Sequence, residues 1–186
     1  MRKVEDAIIS YLRSRNNLLS IALRYPHLLS GNDNVIGRIG EYLAITFLKR
    51  KGRIVSKVLS KSQKGHDLLD GNTKISVKIL TTENVRGRGL RLTEPWDELV
   101  LIVFDTDTLD YRVGHLTKPQ FQQARRENPG WGTLPHVKTT MLGPKGLIGK
   151  YGVVSVASLR SSHAPFTAAE RRKRRSLSSR LSHVNN

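Results

Sequence analysis

Apolar positions first recur at helical spacing, then switch to strand-like alternation, and the switches divide the chain into elements. Val4, Ile8, Tyr11, Leu12, Leu18, Leu19, Ala22 and Leu23 are spaced by three, four and seven, predicting one helix or a pair broken near Asn16-Asn17. Pro26 ends it, and the turn cluster Gly31-Asn32-Asp33-Asn34 offers Asp33 or Asn34 as the next N-cap. Residues 35–51 carry the strongest helical pattern. Ile36, Ile39, Gly40, Leu43, Ala44 and Phe47 form one stripe, Arg38, Tyr42 and Lys49 lie opposite, and Gly52 stands at the C-cap. Strands are predicted at 53–59, 67–69 and 74–80, the last two joined by the turn Asp70-Gly71-Asn72. Residues 98–105 (ELVLIVFD) are a continuous apolar run, as in a strand buried on both faces, and 107–114 is expected to return antiparallel to it. A helix is expected over 118–127, with Pro119 in its first turn. The Gly- and Pro-rich segment 128–149 reads as loop, and 151–159 as a last strand or short helix.

This order predicts an α/β fold around a mixed sheet. The domain division is an N-terminal helical extension at 1–30, an α/β domain at 31–160 and a tail at 161–186. The tail holds Arg171, Arg172, Lys173, Arg174 and Arg175 in sequence, with no apolar pattern a core could use, so it is expected to be disordered and available to phosphates.

Charge changes the picture most. With 32 Lys and Arg against 15 Asp and Glu, the formal net charge is +17. Such an excess repels itself unless a polyanion neutralises it, and nucleic acid rewards it through counterion release. A membrane surface is not expected as the partner, because no amphipathic helix carries large exposed aromatics. No run of 18 apolar residues is present, and Glu5 and Asp6 spoil the first residues as a signal peptide. The absence of cysteine removes disulfides and thiolate metal sites, and the cytoplasm is the expected location.

Three charged residues then fall at informative places. Strand period puts Ile75, Val77 and Ile79 on one face and Ser76 and Lys78 on the other. The Asp-Gly-Asn turn folds this strand back beside Asp67, so an acid and a lysine converge at one edge of the sheet. Glu41 lies on the flank of the apolar stripe of its helix. Mg²⁺ takes oxygen ligands from one or two carboxylates and keeps several waters. A nearby lysine can orient the water that attacks a phosphate and neutralise developing charge. The bland alternatives are a structural Asp67–Lys78 ion pair, an exposed Glu41, an incidental His66, His115 or Lys118, and Trp96 and Trp131 as core or loop anchors.

Glu41 in a helix, then Gly65-His66-Asp67, then Ser76-Val77-Lys78 resembles the PD-(D/E)xK nuclease superfamily of restriction endonucleases and Holliday-junction resolvases, over residues 35–121. The resemblance implies a restriction-endonuclease-like mixed central sheet flanked by helices. It also implies a phage or mobile-element type of endonuclease that hydrolyses duplex or branched DNA with Mg²⁺ or Mn²⁺, often as a homodimer. Asp67 would then be the main metal ligand, the Val77 carbonyl a further one, Lys78 the catalytic lysine and Glu41 the helical acid. Gly65-His66-Asp67 departs from the Pro-Asp pair. Ser76 stands where the motif has Asp or Glu and offers only a weak neutral ligand, so Glu41 is the preferred substitute, ahead of Glu83 and Glu94. The segment 84–91, with Arg86, Arg88 and Arg91 among flexible glycines, reads either as a phosphate-gripping loop or as a mobile solvated one. Two rivals remain: a nuclease fold that binds DNA without cleaving it, favoured by Ser76, and a basic structural RNA-binding protein.

Overall fold

The computed structural model describes residues 2–24, 34–58, 65–82, 89–131 and 136–162. The Arg86, Arg88, Glu83 and 171–175 expectations lie outside them. Helix α1 runs Arg2–Arg24 without a break at Asn16-Asn17, and α2 runs Asn34–Arg50. The strands follow as β1 (Ser56–Lys57), β2 (Leu68–Asp70), β3 (Thr73–Thr81), β4 (Leu90–Arg91), β5 (Glu98–Phe104) and β6 (Asp110–Thr117). Helix α3 (Lys118–Glu127), strand β7 (His136–Val137), helix α4 (Leu147–Tyr151) and strand β8 (Val153–Ser158) complete the order. The segment read as loop therefore carries a short strand and a helix.

Six strands form a mixed sheet in the order β1-β2-β3-β5-β6-β8; only β3 and β5 are parallel. A parallel pair needs a crossover. In its described part, residues 89–97, Leu92 and Trp96 are both 1% exposed. They pack with Leu80, Leu99, Leu101, Phe121 and Ile148 on one face of the sheet, the face of α3 and α4. The opposite face carries Ile75, Val77, Val100, Ile102 and Phe104 under α1 and α2. Strand β5 is thus buried on both sides, as its unbroken apolar run predicts.

Helix α1 contributes Ile8, Ile9 and Leu12 to the α2-side core. Three such side chains supply roughly 5–9 kcal/mol of gross burial, so the helix is built into the domain rather than appended to it. Helix α2 lies close on the sheet because Gly40 has no side chain; a Cβ there would come 2.9 Å from the Ile79 Cβ. Helix α3 begins where the sequence puts it, with Thr117 and Gln120 forming a capping box. Of the predicted strand 53–59, the described residues form strand at Ser56–Lys57, followed by a Val58 N–H bond to the Asp67 carbonyl at 3.0 Å. Arg53, ahead of that strand, is drawn instead into ion pairs with Asp70 at 2.6 Å and Glu98 at 2.5 Å. Among the described residues, no helix is long and apolar enough to cross a membrane.

Candidate active site

Asp67 immediately precedes β2, and its main chain begins the ladder: its N–H donates to the Ile75 carbonyl at 2.9 Å. Its carboxylate turns onto the edge of β3, where Oδ2 accepts the Val77 N–H at 2.7 Å. One carboxylate oxygen is therefore fixed by a charge-assisted bond, leaving Oδ1 for a second partner. In an extended strand the N–H and C=O of one residue leave by the same edge, so the Val77 carbonyl points toward the Asp67 side. β2 pairs with β3 no further along than Ile75. Beyond that point β3 continues beside β5 alone among the described strands, and Lys78 stands opposite Leu101.

The local backbone explains why Asp67 is held there. Gly65 has φ +92°, and a Cβ on it would fall 2.5 Å from the Glu94 carbonyl carbon and the Pro95 nitrogen. Only glycine lets the segment cross the loop leading into β5 at this distance. That loop is tied in turn to β3, through Asp97 N–H to the Lys74 carbonyl at 2.8 Å and Lys74 N–H to Asp97 Oδ2 at 2.8 Å.

The predicted residues lie on both faces of the sheet. Leu80 and Leu101 belong to the α3/α4 core, so alternation puts Ser76 and Lys78 on that side. Lys78 is half-buried, whereas Ser76 is completely enclosed and its hydroxyl has no hydrogen-bond partner. Glu41 comes from the α2 side, one residue after the Gly40–Ile79 contact, and its carboxylate is ion-paired with Lys57 of β1. Lys57 stands opposite Leu68, the residue after Asp67. Asp67 thus makes a main-chain bond where a structural ion pair with Lys78 was the alternative. Glu94 is engaged by Lys118 at 3.0 Å and by the Trp96 N–H at 3.3 Å. Trp96 is a core residue, packed on the Phe121 ring at 5.7 Å between centroids.

Two features escaped sequence reasoning. His66 is 4% exposed and neither ring nitrogen has a partner; the Trp96 indole nitrogen is in the same condition. The second feature is a charge network at the N-terminal end of β3 and β5, where Arg53 bridges Asp70 and Glu98, and His115 Nε2 lies 2.9 Å from Glu98. Burial alone would raise the Glu98 carboxyl, but hydrogen bonds from His115 and Arg53, with their positive charge, outweigh it and hold it at about 2. No motif joins these four residues, which come from β2, β5, β6 and the segment ahead of β1.

For a divalent ion the described residues offer one oriented carboxylate and one main-chain carbonyl. Among them no group of three or more His, Asp or Glu side chains is placed to hold a metal. Mg²⁺ suits such a sparse set because it keeps waters and takes further oxygens from a substrate phosphate. Comparison of the chain with protein-family models and with curated proteins yields no match, so the functional reading rests on this site.

Proposed function

We propose that the protein is a Mg²⁺- or Mn²⁺-dependent DNA endonuclease of the restriction or resolvase type. The observation that carries this reading is the Asp67 carboxylate bonded to the Val77 amide, one residue before Lys78, where β2 and β3 part. Asp67 Oδ1 and the Val77 carbonyl would hold the ion, which when bound acidifies a water and offsets phosphate charge. Lys78 orients that water and donates a hydrogen bond to the oxygen that gains charge. Glu41, on α2, would serve as the second acid. The excess of positive charge supports a polyanionic substrate.

The test is cleavage of supercoiled, linear and branched DNA with Mg²⁺, Mn²⁺ or EDTA. Metal-dependent products that Asp67→Asn and Lys78→Ala both abolish are expected; cleavage retained by either variant would overturn the assignment. A second reading, a DNA-binding protein on the same scaffold without catalysis, is favoured by the Glu41–Lys57 pair and the enclosed, neutral Ser76. Calorimetric titration with Mg²⁺ separates the two: a heat signal lost in Asp67→Asn supports the nuclease, and no signal supports the binding protein.

A further inference from the structure

Strands β4 and β7 stand outside the main sheet as a two-stranded antiparallel ribbon, with Leu90 opposite Val137 and Arg91 opposite His136. Val137, and Leu92 just after β4, are 0% and 1% exposed and anchor the ribbon in the α3/α4 core. That core includes Leu80 and Leu101, the residues that flank Lys78 along β3 and across to β5. The ribbon therefore rises from the face on which Lys78 lies.

Its outer surface is cationic. Arg91, His136 and Lys138 are all exposed, and neither 89–92 nor 136–140 contains an acid. Among the described residues, no ion pair engages any of the three, while Lys118 and Lys150 nearby are paired with Glu94 and Glu127. Directly opposed residues of an antiparallel pair hold their Cβ atoms about 5 Å apart, so the Arg91 guanidinium and His136 imidazole present adjacent N–H donors. A two-stranded ribbon is also one of the two elements that the major groove, about 12 Å wide, admits.

We propose that the β4–β7 ribbon is the element that seats duplex DNA over the Lys78 face, with Arg91, His136 and Lys138 on its phosphates. This rests on the DNA-hydrolase reading above and extends it to how the substrate is held. The experiment is fluorescence anisotropy of a labelled duplex with the full chain in EDTA, across ~50–200 mM salt. Each lost phosphate contact lowers the salt slope by about 0.9, so Arg91→Ala with Lys138→Ala is expected to lower it by about 2 and weaken binding at least tenfold. The charge-matched control is Lys3→Ala with Arg13→Ala, two exposed cations of α1 on the opposite face, and it should keep the parental slope. A ribbon variant that binds like the parent, or a control that loses as much, overturns the proposal, as does a parent that does not bind duplex. Cleavage by the same proteins in Mg²⁺ is read separately. Binding that depends on the ribbon without cleavage removes the hydrolase and leaves the ribbon; cleavage with an indifferent ribbon removes only the ribbon.

Discussion

Replacing Glu98 by Gln tests whether the network beneath the site stabilises the fold. The substitution keeps the side chain's shape and removes its charge, leaving Arg53 and His115 facing an amide. The Glu98 carboxyl is lowered from an ordinary 4.5 to about 2, an upper limit of about 3 kcal/mol in favour of the folded state. Solvent still reaches the pair, whose side chains are 22% and 14% exposed for Arg53 and Glu98. Screening and residual hydrogen bonding by the amide reduce the expected loss to about 1–2 kcal/mol at pH 7. The sign follows from linkage. A carboxyl depressed in the folded state contributes in full above its unfolded value, and the contribution disappears as pH falls from about 4.5 to about 2. Urea unfolding followed by circular dichroism, at pH values from 7 down to 2.5, gives the difference between wild type and variant. Because carboxylates outside the network titrate alike in both proteins, subtraction isolates Glu98 together with its coupling to Arg53, Asp70 and His115. The midpoint gap should be about 0.5–1 M at neutral pH and close toward the acid end. Equal stability at pH 7, or a gap unchanged from pH 7 to 2.5, would refute the reasoning.

Three further outcomes follow from the same geometry. Ser76→Ala removes an enclosed hydroxyl that has no partner, so thermal unfolding should show unchanged stability or a gain of up to about 1 kcal/mol; a clear loss would mean the hydroxyl is bonded in solution. The same variant should cleave DNA at the parental rate, since Ser76 supplies no charge to the edge. Gly65→Ala forces a Cβ against the Glu94-Pro95 main chain at positive φ and should cost about 2 kcal/mol or more, with loss of cleavage as Asp67 shifts; a wild-type unfolding midpoint would contradict the packing.

Much of the frame was legible because single-element periodicity carries it. The α2 stripe, the alternation of β3, the doubly buried run of β5 and the Thr117/Gln120 entry to α3 each advance in steps of no more than four positions. What was not legible depends on distance along the chain. Alternation placed Ser76 away from the α2 core, but nothing local indicated that the crossover would close Leu92 and Trp96 over that second face. The parallel pairing of β3 with β5, and the ribbon made by 90–91 with 136–137, are likewise set by contacts across many residues. At the site, spacing brought Asp67 and Lys78 to one hairpin. It did not show that the carboxylate bonds the Val77 amide, because an Asp beside a turn has several local partners to choose from.

The position of Glu41 makes the sharpest demand on the nuclease reading. Its carboxylate lies on the α2 side and is held by Lys57, so a cation already occupies the acid that a metal would need. Lys57 is 44% exposed and Glu41 21%, so the pair is partly screened by solvent and contributes about 1 kcal/mol. An ion that recruits Glu41 must break that pair, so removing Lys57 should tighten the apparent Mg²⁺ affinity by up to about fivefold. Lys57→Met is therefore expected to reach half-maximal cleavage at lower Mg²⁺, and Glu41→Gln in the same background should cancel the gain. If Lys57→Met leaves the Mg²⁺ dependence unchanged while Asp67→Asn abolishes cleavage, the ion is held by Asp67, the Val77 carbonyl and substrate oxygens alone. Glu41 is then a partner of β1, and the second acid of the motif is not Glu41.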